Sequence, residues 1–337
     1  MKIIIIGLNW LGDIIMSVPS IMAAADVGEV HIITRPHLAE VYELLPIPLN
    51  IHAVATNAGI FSVIKSLKPL RKLKTDKALV LPDSLRAALI AKICKSAQST
   101  GFATQMRSFF LDQAIAKPQN YKQLHESELH FMLVKKAGLS EIRPAIKATH
   151  FTESYFTEVA TKLGLPPDKP FITLAPGAAF GSAKRWPAEK FAQLATLLHE
   201  NLGLPMVITA SATENSLAET IMQSSQIPMI KAAGKTSLKE LACLLSKTRG
   251  LIANDSGTMH LGALFSTPTV VPVGPTDMTR TGPLNNNFRA VHPPDSICPL
   301  TPCRQRICPR KDHVCMQSIE ADVVYEEFIK LYKQNYE

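Results

Sequence analysis

The chain is poor in charge and in aromatic side chains, and it lacks any long apolar run. Charged residues make up 19% of its positions against 46% hydrophobic ones, a balance that supports a large core and excludes a disordered chain. Aromatic residues account for 6%, too few for the stacking platforms of nucleic-acid binders. No apolar stretch reaches the ~20 residues of a bilayer span, and the apolar start Ile3 to Ile6 leads straight into Gly7, Asn9 and Asp13. A cytoplasmic setting is therefore expected. Solenoid-type repeats and low-complexity tracts are missing too. Cysteine is scarce along most of the chain, yet of six cysteines four crowd into Cys298 to Cys315. What is plentiful is positive charge: 36 lysines and arginines against 28 acids give +8, which favours nucleic acid, nucleotide phosphates or an acidic membrane surface as partner.

At 337 residues the chain is near twice the usual domain length, so two domains are expected and a small disulfide-stapled fold is excluded. Lys2 to Ile6 is a continuous apolar run closed by Gly7, the pattern of a strand buried on both faces of a parallel sheet. A helix from about Asp13 to Ala25 follows, with Pro19 placed to kink or restart it. Strand signals at Glu29 to Ile33, Asn50 to Val54 and Lys77 to Leu81 then alternate with helix signals at Leu38 to Leu45, Phe61 to Leu73 and Ser84 to Cys94. The pattern weakens from Gly101 to Pro118, and His125 to Ala137 restores a helix. Residues 163–170, rich in proline, read as a linker. Beyond it a second series alternates from Phe171 to Val273. The expected fold is α/β: two Rossmann-like doubly wound domains, residues 1–163 and 164–318, facing a ligand cleft, with a helix over 319–337 packing back across them.

Four motifs could carry chemistry. Gly7-Leu-Asn-Trp-Leu-Gly12-Asp13 follows the opening strand, where glycines let a backbone approach a ligand and a helix N-terminus favours an anion. The third glycine of the dinucleotide fingerprint is absent. Asp13 is placed to accept a proton from a hydroxyl, or to be no more than a first-turn acid stabilised by the helix dipole. Pro176-Gly-Ala-Ala-Phe-Gly-Ser-Ala-Lys184-Arg185-Trp186-Pro187 has the composition of a phosphate cradle without the Walker spacing. Its alternative is a surface loop with Lys184 and Arg185 merely solvated, and Trp186 reads as a packing residue. Asn254-Asp-Ser-Gly-Thr-Met-His260 heads a helix and makes a second anion site, with Asp255 either a ligand or only a cap and His260 near an apolar helix face. Val273-Gly-Pro-Thr-Asp277 closes the next strand. Two helix N-termini and a lysine suit a nucleotide diphosphate better than a free monophosphate. Last comes Cys298-x4-Cys303-x4-Cys308-x6-Cys315 with His313 inside it, which could hold a structural zinc, form two disulfides or stay as four thiols. Arg304, Arg306, Arg310 and Lys311 make that loop basic, and Pro299, Pro302 and Pro309 make it irregular.

Gly7 to Asp13 with Ser17-Val-Pro19, Leu81-Pro-Asp-Ser84, Pro176-Gly-Ala with Lys184-Arg-Trp-Pro187, Asn254-Asp-Ser-Gly257 with His260, and Val273-Gly-Pro-Thr276 form a set. Over nearly the whole chain this set resembles the ADP-heptose:lipopolysaccharide heptosyltransferases, most closely their second-heptose members. The resemblance implies glycosyltransferase B architecture and an inverting transfer of heptose from ADP-L-glycero-D-manno-heptose to the first heptose of the lipopolysaccharide inner core, with no metal in the chemistry. It implies Asp13 as general base and donor contacts from Ala178, Lys184, Asp255, Ser256, Gly257, Thr258 and His260. Thr213 or Glu214 would meet the ribose, Thr236 the adenine, and Gly12 and Arg107 the acceptor. The implied partners are ADP-heptose, the heptosyl-Kdo-lipid A acceptor and an anionic inner-membrane face, where the positive balance would hold a monomeric, peripheral enzyme on the cytoplasmic side. Alternatives are the first-heptose or another inner-core step of the same family, or a non-catalytic adenine-nucleotide-binding module. An intact Asp13, Lys184 and Asp255 set favours an enzyme, and no nucleic-acid partner is expected.

Overall fold

The computed structural model describes residues 1–337, apart from the side chain of Ile60. The chain divides into two compact units, Met1–Thr149 and His150–Glu337.

The first unit is one parallel sheet of β1 (Lys2–Ile6), β2 (Glu29–Thr34), β3 (Leu49–Ala53), β4 (Lys77–Val80), β5 (Gln98–Phe102) and β6 (Gln113–Ile115), in the order β3-β2-β1-β4-β5-β6. Helices α1 (Leu11–Ala25), α2 (Ala39–Glu43), α3 (Ile60–Leu67), α4 (Leu85–Cys94) and α5 (Glu126–Lys136) connect or cover these strands. Ile3 to Ile6 are buried to 2% exposure or less, as the unbroken apolar run requires of a central strand. Pro19 neither ends nor restarts α1, which is continuous through it. The weak stretch after Gly101 conceals part of a polar sheet edge. There the Ser99 hydroxyl donates to Asp112 at 2.7 Å and the Thr100 hydroxyl to Gln113 Oε1 at 2.9 Å, so β5 and β6 are joined by satisfied polar groups instead of an apolar alternation.

The second unit opens with α6 (Glu153–Leu163) and β7 (Ile172–Ala175), then α7 (Ala188–Leu202), β8 (Met206–Ile208), α8 (Asn215–Ser224), β9 (Met229–Lys231), α9 (Leu238–Lys247) and β10 (Gly250–Ala253). It continues through α10 (Gly257–Leu264), β11 (Thr269–Pro272), α11 (Met278–Thr281), β12 (Phe288–Val291), α12 (Val314–Gln317) and α13 (Ala321–Tyr336). Its parallel sheet runs β12-β11-β10-β7-β8-β9. Counted from its own first strand, that is the strand order of the first unit.

Two expectations change. The boundary falls at residues 149 and 150, before α6, and the segment 163–170 is a turn inside the second unit. Phe156, Val159 and Leu163 of α6 share a core with Phe171, Val207 and Leu244, and Gly164, at φ +74°, ends the helix in the left-handed region open to glycine. Prolines marked a turn there, not a linker between domains. Residues 319–337 are likewise part of the second unit's core: Val324, Phe328 and Leu331 of α13 pack with Trp186, Leu194 and Ile252. Gly250 makes room for this helix, since a Cβ there would stand 2.3 Å from the Phe328 ring.

Candidate functional site

In each sheet the first and fourth strands lie side by side while their outward neighbours diverge, which opens a crevice beyond their C-terminal ends. In the second unit this point lies between the loop 176–187 after β7 and the residues after β10. Asn254, wholly buried, ties the two together: its Oδ1 accepts from Trp186 N at 3.1 Å and its Nδ2 donates to the Pro176 carbonyl at 2.7 Å. Next to it, Lys184 Nζ meets Asp255 Oδ2 at 2.6 Å, with side chains 14% and 6% exposed. Lys184 is therefore an ion-paired, largely buried cation at the mouth of the crevice, not a solvated loop charge.

Ser256 occupies the N-cap of α10, yet its Oγ makes no capping bond. That hydroxyl is shielded from solvent without a hydrogen-bond partner, as is Thr276 Oγ1 after β11. Gly257 and Thr258 begin the helix, where backbone N–H groups lack intrahelical acceptors. A cation, a helix N-terminus and two unspent hydroxyls thus border one crevice, an arrangement able to hold a phosphate-bearing ligand.

Ala178, Thr213, Glu214 and Thr236 gather toward the β8 and β9 side. Glu214 Oε1 accepts from Ala178 N at 2.8 Å and from Arg185 at 3.2 Å, and its Oε2 accepts from the Ser211 hydroxyl at 2.7 Å. Gly177 permits this, because a Cβ there would come 2.5 Å from Glu214 Oε2. Thr213 is exposed. Thr236 lies in the turn that Gly234 N anchors to Ala210 O at 3.0 Å. His260 is 4% exposed among Met259 and Leu261, inside the unit rather than at its rim. Trp186 packs edge-on against Phe191 and donates from Nε1 to Ile319 O at 2.9 Å.

In the first unit Asp13 and Gly12 lie half-buried in the first turn of α1. Gly7 serves packing more than ligand approach: a Cβ there would stand 2.5 Å from Tyr42 Oη and 2.9 Å from Ile33 O. Arg107 requires a correction. It is 0% exposed, and its guanidinium donates to the carbonyls of Phe102 (2.8 Å) and Pro82 and to Asp83 Oδ1 (3.3 Å), bracing the loop after β5 rather than offering charge to an acceptor. Burial pulls its pKa down against the opposing pull of Asp83. Asp83 also accepts from Lys117 Nζ at 2.6 Å, and that ammonium lies 5.2 Å from the Tyr121 ring centroid. Behind them buried His130 is pushed down to about 4 by desolvation. Asp83 and Asn254 stood in quoted motifs without a role of their own, and Lys117 was absent from the sequence-based site. A signal for Asp83 was available: Asp83-Ser84 and Asp255-Ser256 recur after the fourth strand of each sheet, each serine heading a helix and each acid held by a lysine.

The four clustered cysteines are free thiols. Burial, reinforced by the neighbouring Cys298, Cys303 and Cys308, pushes the Cys315 thiol up. Among the described residues no group of three or more His, Cys, Asp or Glu side chains is arranged to hold a metal ion, and no helix is long and apolar enough to cross a membrane.

The family model of glycosyltransferase family 9 (heptosyltransferase) matches residues 63–312. The lipooligosaccharide heptosyltransferase 2 of Campylobacter jejuni serotype O:2 is 30% identical over 100% of both chains. The lipopolysaccharide heptosyltransferase 2 of Salmonella typhimurium is 28% identical over 86% of this chain and 88% of its own. Among solved structures, the E. coli ADP-heptose LPS heptosyltransferase II superposes with a TM-score of 0.86 at 23% identity, covering 100% of both chains.

Proposed function

The chain belongs to glycosyltransferase family 9, the heptosyltransferases, and from that premise we propose that it moves a heptose from ADP-heptose to the first heptose of a lipopolysaccharide inner core. The observation that carries the donor half of this reading is the Lys184–Asp255 pair at the second unit's crevice, beside the α10 N-terminus. Lys184 and the Gly257 and Thr258 amides would hold the diphosphate, Ser256 and Thr276 would spend their hydroxyls on the donor, and Asp255 would accept from sugar hydroxyls. Thr213 or Glu214 at the ribose and Thr236 at the adenine complete the donor side. Glu214 would take that role by exchanging one of its present donors for a ribose hydroxyl.

In this proposal Asp13 takes the proton of the acceptor hydroxyl as its oxygen bonds to the anomeric carbon and the C–O bond to the diphosphate breaks. One displacement inverts the anomeric centre. Positive charge grows on the sugar and negative charge on the departing ADP, where Lys184 and the helix N-terminus stabilise it without a metal or other cofactor. A positioned general base typically contributes about 10²–10⁴-fold, so Asp13→Ala loses that much turnover while ADP affinity stays within about twofold. The net charge of +8 would draw the chain, as a monomer, to the anionic cytoplasmic membrane face that presents the acceptor. Cosedimentation with anionic liposomes that ignores salt and lipid charge would refute that part. The whole reading is tested by product mass on acceptors carrying zero, one or two heptoses. Transfer confined to the one-heptose acceptor supports it, and transfer to the heptose-free acceptor reassigns the chain to the first-heptose step.

A further inference from the structure

The cysteine-rich segment, which no part of the transfer step uses, is bound closely to the donor loops. Arg306 lies midway between Cys303 and Cys308, and its carbonyl accepts from Ala183 N at 3.1 Å. Its Nε donates to the Phe180 carbonyl at 2.8 Å. Its guanidinium carbon lies 4.9 Å from the Phe180 ring centroid, and Lys184 Nζ lies 4.9 Å from the same centroid. Arg304 fastens the other side: its N–H reaches the Pro275 carbonyl at 2.8 Å and its guanidinium pairs with Asp277 at 3.2 Å.

Two glycines register how close this packing is. A Cβ on Gly181 would stand 2.1 Å from the Arg306 carbonyl oxygen, and one on Gly274 would stand 2.8 Å from Cys315 Sγ. Both glycines lie in donor loops, after β7 and β11 respectively. Within the segment Arg304, Lys311 and His313 adopt left-handed backbone, with φ between 49° and 68°. Side chains disfavour that region, so tertiary contacts must impose the path.

We propose that residues 298–315 form a strap that fixes Lys184 for the donor, with Arg306 as its positioning residue acting through Phe180 and the Ala183 amide. Without the strap, the turn 180–184 loses its contacts with Arg306, Lys184 keeps only its pairing with Asp255, and the ammonium spreads over several positions. The proposal rests on the reading of Lys184 as holder of the donor diphosphate.

The test measures ADP affinity by calorimetry and the donor KM and kcat on the full chain. The variants are Arg306→Ala, Arg306→Lys, Lys184→Ala and the Arg306→Ala/Lys184→Ala pair. Arg306→Ala is expected to weaken ADP and raise the donor KM about tenfold, the equivalent of one charge-assisted hydrogen bond, with kcat changed less than about threefold. Arg306→Lys keeps a cation near Phe180 and recovers part of the loss. In the Lys184→Ala background Arg306→Ala adds less than about twofold, because the residue it positions is gone. Full additivity in that background would make Arg306 a direct ligand and overturn the strap. So would an Arg306→Ala protein with unchanged ADP affinity where Lys184→Ala is impaired. Unchanged ADP affinity in Lys184→Ala removes the donor-site reading instead.

Discussion

Lys184→Ala removes one half of an ion pair whose other half has almost no access to water. At 2.6 Å, two unit charges attract by about 6 kcal/mol for an effective dielectric near 20, most of it offset by desolvation of both groups. What the variant exposes is the remainder: Asp255, 6% exposed, is left facing no lysine. Breaking a buried pair costs about 3–5 kcal/mol, and the 14% exposure of Lys184 places this one at the lower end, about 3 kcal/mol. For a unit of this size that corresponds to a midpoint lowered by about 6–12 °C, at about 2–4 °C per kcal/mol. Asp255→Ala should cost less, because the lysine stem can carry its ammonium to solvent. The chain's two tryptophans allow the second unit to be followed alone, since Trp186 is 1% exposed in its core and Trp10 belongs to the first unit. Urea unfolding read from Trp186 fluorescence in a Trp10→Phe background, over wild type, both single variants and the double variant, yields the coupling energy. A value near 2 kcal/mol is expected; one below about 0.5 kcal/mol would place the pair with exposed salt bridges and refute the reasoning.

Asn254→Ala leaves the Trp186 amide and the Pro176 carbonyl buried without partners, so the same Trp186 signal should show a loss of about 2–4 kcal/mol. Buried His130 titrates near 4 when folded and near 6.5 when unfolded, so the unfolded chain binds the proton first as pH falls. The first unit should therefore lose about 2–3 kcal/mol between pH 7 and 4.5, and His130→Gln should flatten that dependence in urea titrations. Arg107→Lys removes the forked bonds to Phe102, Pro82 and Asp83, and should destabilise the first unit by about 2 kcal/mol while the acceptor KM moves less than about twofold. An acceptor KM raised tenfold without loss of stability would return Arg107 to the acceptor surface.

The apolar strands were legible because burial on both faces leaves a mark that single residues cannot hide: Lys2 to Ile6 is a strand as read, and the strand read over Phe171 to Ala175 runs from Ile172 to Ala175. The loops at their ends were legible for a related reason, since glycines and small residues mark where a backbone turns beside a strand C-terminus. Polar strands left no such mark. Ser99 and Thr100 are buried in β5 only because Gln113 of β6 and Asp112 just before it arrive to satisfy them, and that pairing exists only in three dimensions. Arg107 failed for the complementary reason. A basic residue in a patternless loop reads as exposed until the carbonyls of Phe102 and Pro82 are seen converging on it. Likewise Arg306 belonged to a basic run whose contact with Phe180 spans 126 positions of chain.

The identical strand order of the two units has a consequence for how such a chain can change. One frame has been used twice, and in each copy an aspartate after the fourth strand is pinned by a lysine from another loop. Each copy carries its own core and its own pinned acid, so the residues that hold each crevice's acid in place belong to its own unit. Selection could thus reshape one half while the other is held constant, and half-molecules exchanged between relatives at residues 149 and 150 offer a direct way to recombine their specificities.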